Sequence, residues 1–167
     1  MHEANALARR IIGRAIEAHR HLGPGLTEIA YERALARELT DAGIGFVRQV
    51  AIPVSYKGEV IAEYRPDFIV SDLVVLEIKS VDRVTPVHEA QMLTYLRVTG
   101  RELGFVLNFN TAVLRHGIHR VVLQRGSRSL DNDAFDPPPY AALAGRDERA
   151  PMPLRLCAFA PWRLGVP

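Results

Sequence analysis

The sequence predicts an α/β (α+β) domain, a mixed central sheet flanked by helices in the order α-α-β-β-β-α-β-β. Three observations lead there. Up to Ala42 the apolar residues recur at helical spacing. From Phe46 onward the pattern becomes strand-like, with short apolar runs separated by turn residues. One sharply bounded helix, opened by Thr85-Pro86 and closed by Gly100, interrupts the strands. Strands divided in this way, after two leading helices, suit a sheet with helices packed against it.

Residues 4 to 22 place Leu7, Ile11, Ile12, Ala15, Ile16 and His19 on one stripe and stop at the breaker Gly23-Pro24-Gly25. A second helix is expected from about Thr27 to Ala42, ending at Gly43. Residues 46 to 56 (FVRQVAIPVSY) read as one strand, Lys57-Gly58 as a turn, and 59 to 70 as a second strand. Ser71-Asp72 is a tight connection into a third strand at 73 to 79. Thr85 suits an N-cap and Pro86 the first helical position of a helix reaching Thr99. Residues 103 to 110 (LGFVLNFN) form a fourth strand and, after Gly117, 118 to 124 a fifth. Beyond about Arg125 the chain is rich in Pro, Asp, Arg and Ser without sustained periodicity. The segment 125–167 therefore reads as an appendage, mobile or draped over the surface, attached to a domain spanning 1–124. Its final apolar run, LRLCAFAPWRLGVP, suits docking on a neighbouring subunit in a homodimer.

At 167 residues the chain fits one domain, able to bury about two-thirds of its unfolded surface. A content of 48% apolar and 24% charged residues is that of an ordinary soluble protein, with no run long enough to span a membrane. The N-terminus is amphipathic, carries Glu3 and Glu17, and lacks the features of a secretory signal. A single cysteine, Cys157, excludes an intrachain disulfide and points to a reducing cytoplasm. The net charge of +2, with 15 basic and 14 acidic residues up to position 124, supplies no broad footprint for nucleic acid. Arg65, Arg83, Arg97 and Arg101 are either a local basic patch or ordinary solvated arginines. Of 21 basic residues only Lys57 and Lys79 are lysines.

The stretch RPDFIVSDLVVLEIKS, residues 65 to 80, sets Asp67, Glu77 and Lys79 into an apolar run. Burying an unpaired charge costs several kcal/mol, roughly, so their presence needs a reason. Strand alternation puts Leu73, Val75, Glu77 and Lys79 on one face, with Glu77 and Lys79 about 7 Å apart along the strand. Either they form a solvated ion pair, or, since both faces look covered, they mark a site. Register leaves a second choice. A two-residue loop at Ser71-Asp72 puts Asp67 opposite Leu76, whereas a three-residue loop or one bulge puts it opposite Glu77. A carboxylate site requires the second. Opposed carboxylates repel unless a cation or proton lies between them. Glu28 falls on the apolar stripe of Tyr31, Leu35, Leu39 and Ala42, an unusual position unless the helix start keeps it near water. Gln91 and Tyr95, four apart, are helical neighbours, with His88 one turn before them.

Taken together these residues resemble a known family. Gly25, Glu28 and Tyr31 match a GxxExxY signature, and Pro66-Asp67 followed by Glu77-Ile78-Lys79 matches the PD-(D/E)xK nuclease pattern. Gln91 and Tyr95 resemble the QxxxY motif of its RecB-like branch. The chain is similar to GxxExxY proteins of the PD-(D/E)xK superfamily from about residue 4 to 124. The resemblance implies a restriction-endonuclease-like core and a metal-dependent nuclease acting on DNA. It further implies that Glu28, Asp67, Glu77 and the Ile78 carbonyl hold Mg²⁺ (or Mn²⁺), ions suited by hard oxygen ligands. Asp67, Glu77, Lys79, Gln91 and Tyr95 would then be catalytic. Gln91, Tyr95, His88 and Arg97 would contact substrate, His88 being otherwise a helix-start residue. The alternative is a catalytically silent nucleic-acid-binding or assembly module on the same fold; a plain structural domain with a closed salt-bridge cluster is the third reading.

Overall fold

A computed structural model describes residues 2–124, and the expected appendage lies outside the described residues. Helices α1 (His2–Leu22) and α2 (Glu28–Asp41) precede strands β1 (Phe46–Arg48), β2 (Ile52–Tyr56), β3 (Glu59–Tyr64), β4 (Phe68–Val70) and β5 (Val74–Lys79). Helix α3 (Pro86–Thr99), β6 (Leu103–Asn108), a 3₁₀ turn (Leu114–Gly117) and β7 (Ile118–Val122) follow. Five strands make one sheet in the order β1-β4-β5-β6-β7, and β2-β3 form a separate ribbon. Within the sheet β5 and β6 are parallel and the other neighbours antiparallel. The architecture is mixed α+β with helices on both faces, consistent with a restriction-endonuclease-like fold.

Each of the two long strands expected before α3 is in fact two. The first breaks at residues 49–51 and the second at 65–67, so three expected strands become five. Both breaks have local causes. Gln49 takes a left-handed backbone (φ 52°), which turns the chain out of the sheet. Pro66 has no N–H to give to a ladder. The inner arms stay in the main sheet, pairing Arg48 with Phe68. The outer arms leave it as the ribbon, which packs Ile52 and Val54 against Ile69 and Val98.

Helix α1 buries Ala4, Leu7, Ile11, Ala15 and Ala18, an apolar stripe at three- and four-residue spacing. It packs with α2 on the sheet face formed by Val74, Leu76, Ile78, Leu103, Phe105 and Leu107. Helix α3 covers the other face through Met92 and Leu96 against Val75 and Val106. It starts as the sequence predicts, with Pro86 in its first turn and His88 and Thr85 forming a capping box, and ends at Gly100 in left-handed backbone (φ 70°). The approach of α3 explains a glycine in a central strand. A Cβ on Gly104 would lie 2.4 Å from Met92 Sδ. Strand β5 is thereby buried on both faces from Val74 to Ile78. Its register is strongly held. Val74, Leu76 and Ile78, about 1.5–3 kcal/mol each when buried, would all change face on a one-residue slip.

Candidate active site

The antiparallel pairing runs Phe68 with Leu76, Ile69 with Val75 and Val70 with Val74, which makes Asp67 and Glu77 the next pair along. The slip that a carboxylate site requires is therefore present. It is created at the turn, where Ser71 and Asp72 both take left-handed backbone (φ 47° and 61°). Leu73 becomes the extra residue, its N–H donating to the Val70 carbonyl at 3.0 Å. Asp67, Glu77 and Lys79 share the α3 face of the sheet.

Both oxygens of Asp67 are held. The Ile78 N–H donates to Oδ2 and Gln49 Nε2 to Oδ1, each at 2.7 Å. The Gln49 N–H also donates to the Asp67 carbonyl at 3.2 Å, so one residue grips Asp67 at two points. Continuing the register puts Pro66 opposite Ile78. With no N–H to offer, Pro66 cannot close the ladder on the Ile78 carbonyl, and the Ile78 N–H turns to the Asp67 side chain instead. The proline and the aspartate of the motif thus act together to open the strand beside Glu77.

Glu77 is 5% exposed. Its Oε1 accepts a hydrogen bond from Lys79 Nζ at 2.8 Å, while Oε2 is buried with no hydrogen-bond partner. Burial, and then the charge of Asp67, push the Glu77 carboxyl up to about 7. Burial also raises Asp67, with the charge of Glu32 adding and the Ile78 N–H opposing. Lys79 is pulled down by burial, but the Glu77 hydrogen bond and the charges of Glu77, Glu28 and Asp67 outweigh this and leave it raised. Lys79 is accordingly an ammonium at neutral pH.

Gln91 and Tyr95 come to the same place from α3. Gln91 Nε2 donates to Tyr95 Oη at 2.8 Å, and the Tyr95 ring meets Tyr64 edge-on at 6.1 Å. Burial first and then the charge of Glu77 push the Tyr95 phenol up to about 12, which puts it within the field of the carboxylates. His88 is one turn away but is engaged at the helix start, its Nδ1 accepting the Thr85 N–H at 3.1 Å. Arg97 is exposed in the last turn of α3, about 9 Å further along the axis than Gln91 at the standard rise. The four-arginine patch is not gathered. Arg65 is paired with Glu63 at 2.6 Å and Arg101 with Asp72, in the turn at the far end of β5.

Glu28 takes the second of its two readings, near water at a helix start. It is exposed at the start of α2 rather than facing the core, and its Oε1 accepts the Ser80 N–H at 3.1 Å. The signature around it works as a clamp. Tyr31 Oη donates to the Gly23 carbonyl at 2.6 Å and accepts from the Leu26 N–H at 3.0 Å. Gly25 supplies a positive φ (97°) for this tight loop. Ser80 Oγ then donates to the Leu26 carbonyl at 2.6 Å. Gly25, Glu28 and Tyr31 together fasten the loop before α2 to the residue following Lys79.

Two residues of this constellation carry no signal in the sequence: Gln49 and Ser80. Gln49 sits inside an apparent strand, and the hydrogen-bond partners of Ser80, Leu26 and Glu28, lie more than fifty residues before it. Asn108, at the end of β6, accepts the Asn110 N–H at 3.2 Å in the turn and also bonds both ways to Val81, donating to its carbonyl at 2.8 Å and accepting its N–H at 3.1 Å.

Among the described residues no three carboxylate, imidazole or thiolate groups converge as a ready ligand set. Glu28 is turned to Ser80. The remaining pair still fits a hard divalent cation. Asp67 and Glu77 are adjacent, both disfavoured as anions by burial, and the partnerless Glu77 Oε2 is an acceptor a cation would satisfy.

Comparison with known proteins follows the same line. Residues 5–121 match a family model described as the PD-(D/E)XK nuclease superfamily. No match is found among curated proteins. An alkaline exonuclease from Laribacter hongkongensis is similar over 53% of this chain, at 18% identity and a TM-score of 0.40. The match covers 52% of that protein, so the chain spans about half its length. A family match over most of the chain, on a fold that brings its motif residues together, establishes that this protein belongs to the PD-(D/E)XK nuclease superfamily.

Proposed function

We propose that the chain is a nuclease that hydrolyses phosphodiester bonds in DNA and depends on Mg²⁺ (or Mn²⁺). The observation carrying this reading is the buried Asp67–Glu77 pair, set face to face by a bulged turn with one carboxylate oxygen lacking any partner. A structural cluster would leave no such orphan, since an unsatisfied buried acceptor costs about 1–3 kcal/mol. Asp67, Glu77 and the Ile78 carbonyl would hold the ion, with Glu28 as a further donor from the Ser80 amide. When bound, the ion supplies Lewis-acid polarisation of the scissile phosphate and a more acidic attacking water.

The chain's own residues supply the rest. Lys79, held as an ammonium beside Glu77, would offset negative charge developing on the phosphate. Tyr95 keeps its proton to about pH 12 and receives its own hydrogen bond from Gln91, which leaves the phenolic O–H to donate to a phosphate oxygen. His88 and Arg97 would add substrate contacts at the two ends of α3. The GxxExxY and QxxxY matches support membership of the GxxExxY proteins and the RecB-like branch. The activity is assigned to residues 1–124, and a homodimer in the cytoplasm is part of the same reading. Among the described residues no helix is long and apolar enough to cross a membrane.

A second reading has an observation in its favour. Lys79 already closes on Glu77 at 2.8 Å and Glu28 stands off, as a catalytically silent nucleic-acid-binding module would allow. Isothermal titration of Mg²⁺ and Mn²⁺ into wild type and Asp67→Ala/Glu77→Ala, with plasmid and single-stranded DNA cleavage in parallel, separates them. The nuclease reading expects metal binding lost in the double variant and metal-dependent cutting lost in Lys79→Ala. Binding without cutting would select the silent module. No binding at all would leave a salt-bridge cluster.

A further inference from the structure

The carboxyl ends of the parallel strands β5 and β6 carry a second feature, a cavity of about 440 Å³ on the α1 side of the sheet. One wall is the end of α1 and the loop after it, with Ile16, Arg20 and Pro24. The other is the segment after β6, with Val113, Leu114 and Arg115. Both walls are fastened to the site strand. The Phe109 N–H donates to the Lys79 carbonyl at 2.8 Å, Asn108 makes two hydrogen bonds with the Val81 backbone, and Ser80 Oγ donates to the Leu26 carbonyl. The walls are tied to each other by His19 Nε2 against the Thr111 carbonyl at 2.8 Å. The cavity therefore lies beyond the end of the strand that carries Glu77 and Lys79, on the sheet face opposite those two side chains.

Its chemistry selects an anion with an apolar body. Two guanidiniums, Arg20 and Arg115, stand over walls of Ile16, Pro24, Val113 and Leu114. The charges facing Arg20 are weak opponents. Glu17 approaches it at 3.6 Å and also His21 at 3.5 Å, in pairs whose side chains are largely exposed. Arg115 Nε lies against His116 Nε2 at 3.3 Å, an acceptor without negative charge. Arginine in this setting recognises phosphate. No amide or carboxylate side chain lines the cavity, and contacts from its arginines to phosphate oxygens carry no base sequence directly.

We propose that this cavity seats the sugar–phosphate backbone of the substrate strand beyond the scissile bond, as a subsite without sequence preference. The proposal rests on the nuclease reading. Its test is fluorescence anisotropy in EDTA with labelled single-stranded and duplex oligonucleotides of two base sequences. Wild type is compared with Arg20→Ala/Arg115→Ala and the charge-keeping Arg20→Lys/Arg115→Lys. The Arg20 side chain is 75% exposed, so its truncation leaves the core intact, and the thermal midpoint checks this. The Ala pair should bind about tenfold or more weakly on both sequences, with the slope of log K against log salt reduced by about 2. The Lys pair should recover most of the affinity and the slope. Wild-type affinity and slope in the Ala pair would overturn the subsite alone. A loss confined to one base sequence would overturn its sequence independence. Absence of nucleic-acid binding by wild type in EDTA would overturn the subsite, while metal-dependent cleavage decides the nuclease reading separately.

Discussion

At the residue scale the site is organised around two carboxylates that destabilise each other. Gln49 is their main support: it grips Asp67 through side chain and backbone while occupying a left-handed conformation costing on the order of 1–3 kcal/mol. Strain of this kind persists where the surroundings require it. Gln49→Ala should weaken Mg²⁺ binding roughly 10–100-fold, as loss of a partner behind a ligand does, and calorimetric titration with an unchanged circular dichroism spectrum would show it. Glu77 makes a pH prediction whose sign follows from its raised pKa. The folded protein holds the Glu77 proton up to about pH 7, whereas the unfolded chain releases it near the ordinary value of 4.5. The resulting stability is complete below 4.5 and lost as pH rises through 7, on the order of 3 kcal/mol in all. In EDTA the unfolding midpoint should therefore fall between pH 5 and pH 8. Asp67→Asn, which removes the opposing charge, should make that fall shallower; thermal denaturation at both pH values checks it.

At the scale of elements, the GxxExxY segment matters less as a carboxylate on a helix than as a fastening between α2 and the end of β5. Tyr31 is fully buried, stacks on Phe109 at 4.5 Å and closes the loop from Gly23 to Leu26 with its hydroxyl. Tyr31→Phe would keep the ring and strand two backbone groups. The expected cost is about 1–3 kcal/mol in chemical denaturation, with faster amide exchange at Leu26 and Ser80. Unchanged exchange at Ser80 would mean that the loop does not hold the strand end. The same scale explains the ribbon. The long hairpin of residues 46–70 must leave the main sheet at Gln49 and Pro66, because those breaks let Asp67 point across to Ile78.

At the scale of the whole molecule, the described residues close one core on each face of the sheet, and β5 lies between them. A chain ending at residue 124 should accordingly unfold in a single cooperative transition and keep the metal affinity of the full chain. Scanning calorimetry and titration on both lengths test this, and a broad or missing transition would show that residues beyond 124 complete the fold.

The kinds of element, their order, and the helix ends were legible in the sequence, as were Asp67, Glu77, Lys79, Gln91 and Tyr95 as candidates. Helical periodicity, Thr85-Pro86 and Gly100 act over three or four residues, so local chemistry suffices to place them. The charges stood out because burial makes each one costly. Other features were decided only in three dimensions. Whether Asp67 faces Leu76 or Glu77 depended on Ser71 and Asp72 both turning left-handed, which let the apolar faces of β5 meet both helical layers. Gln49, Ser80 and the Glu28–Ser80 contact were hidden because their partners lie 18 to 54 residues away in the chain. A hydrogen bond over that span exists only once the core has brought its two ends together.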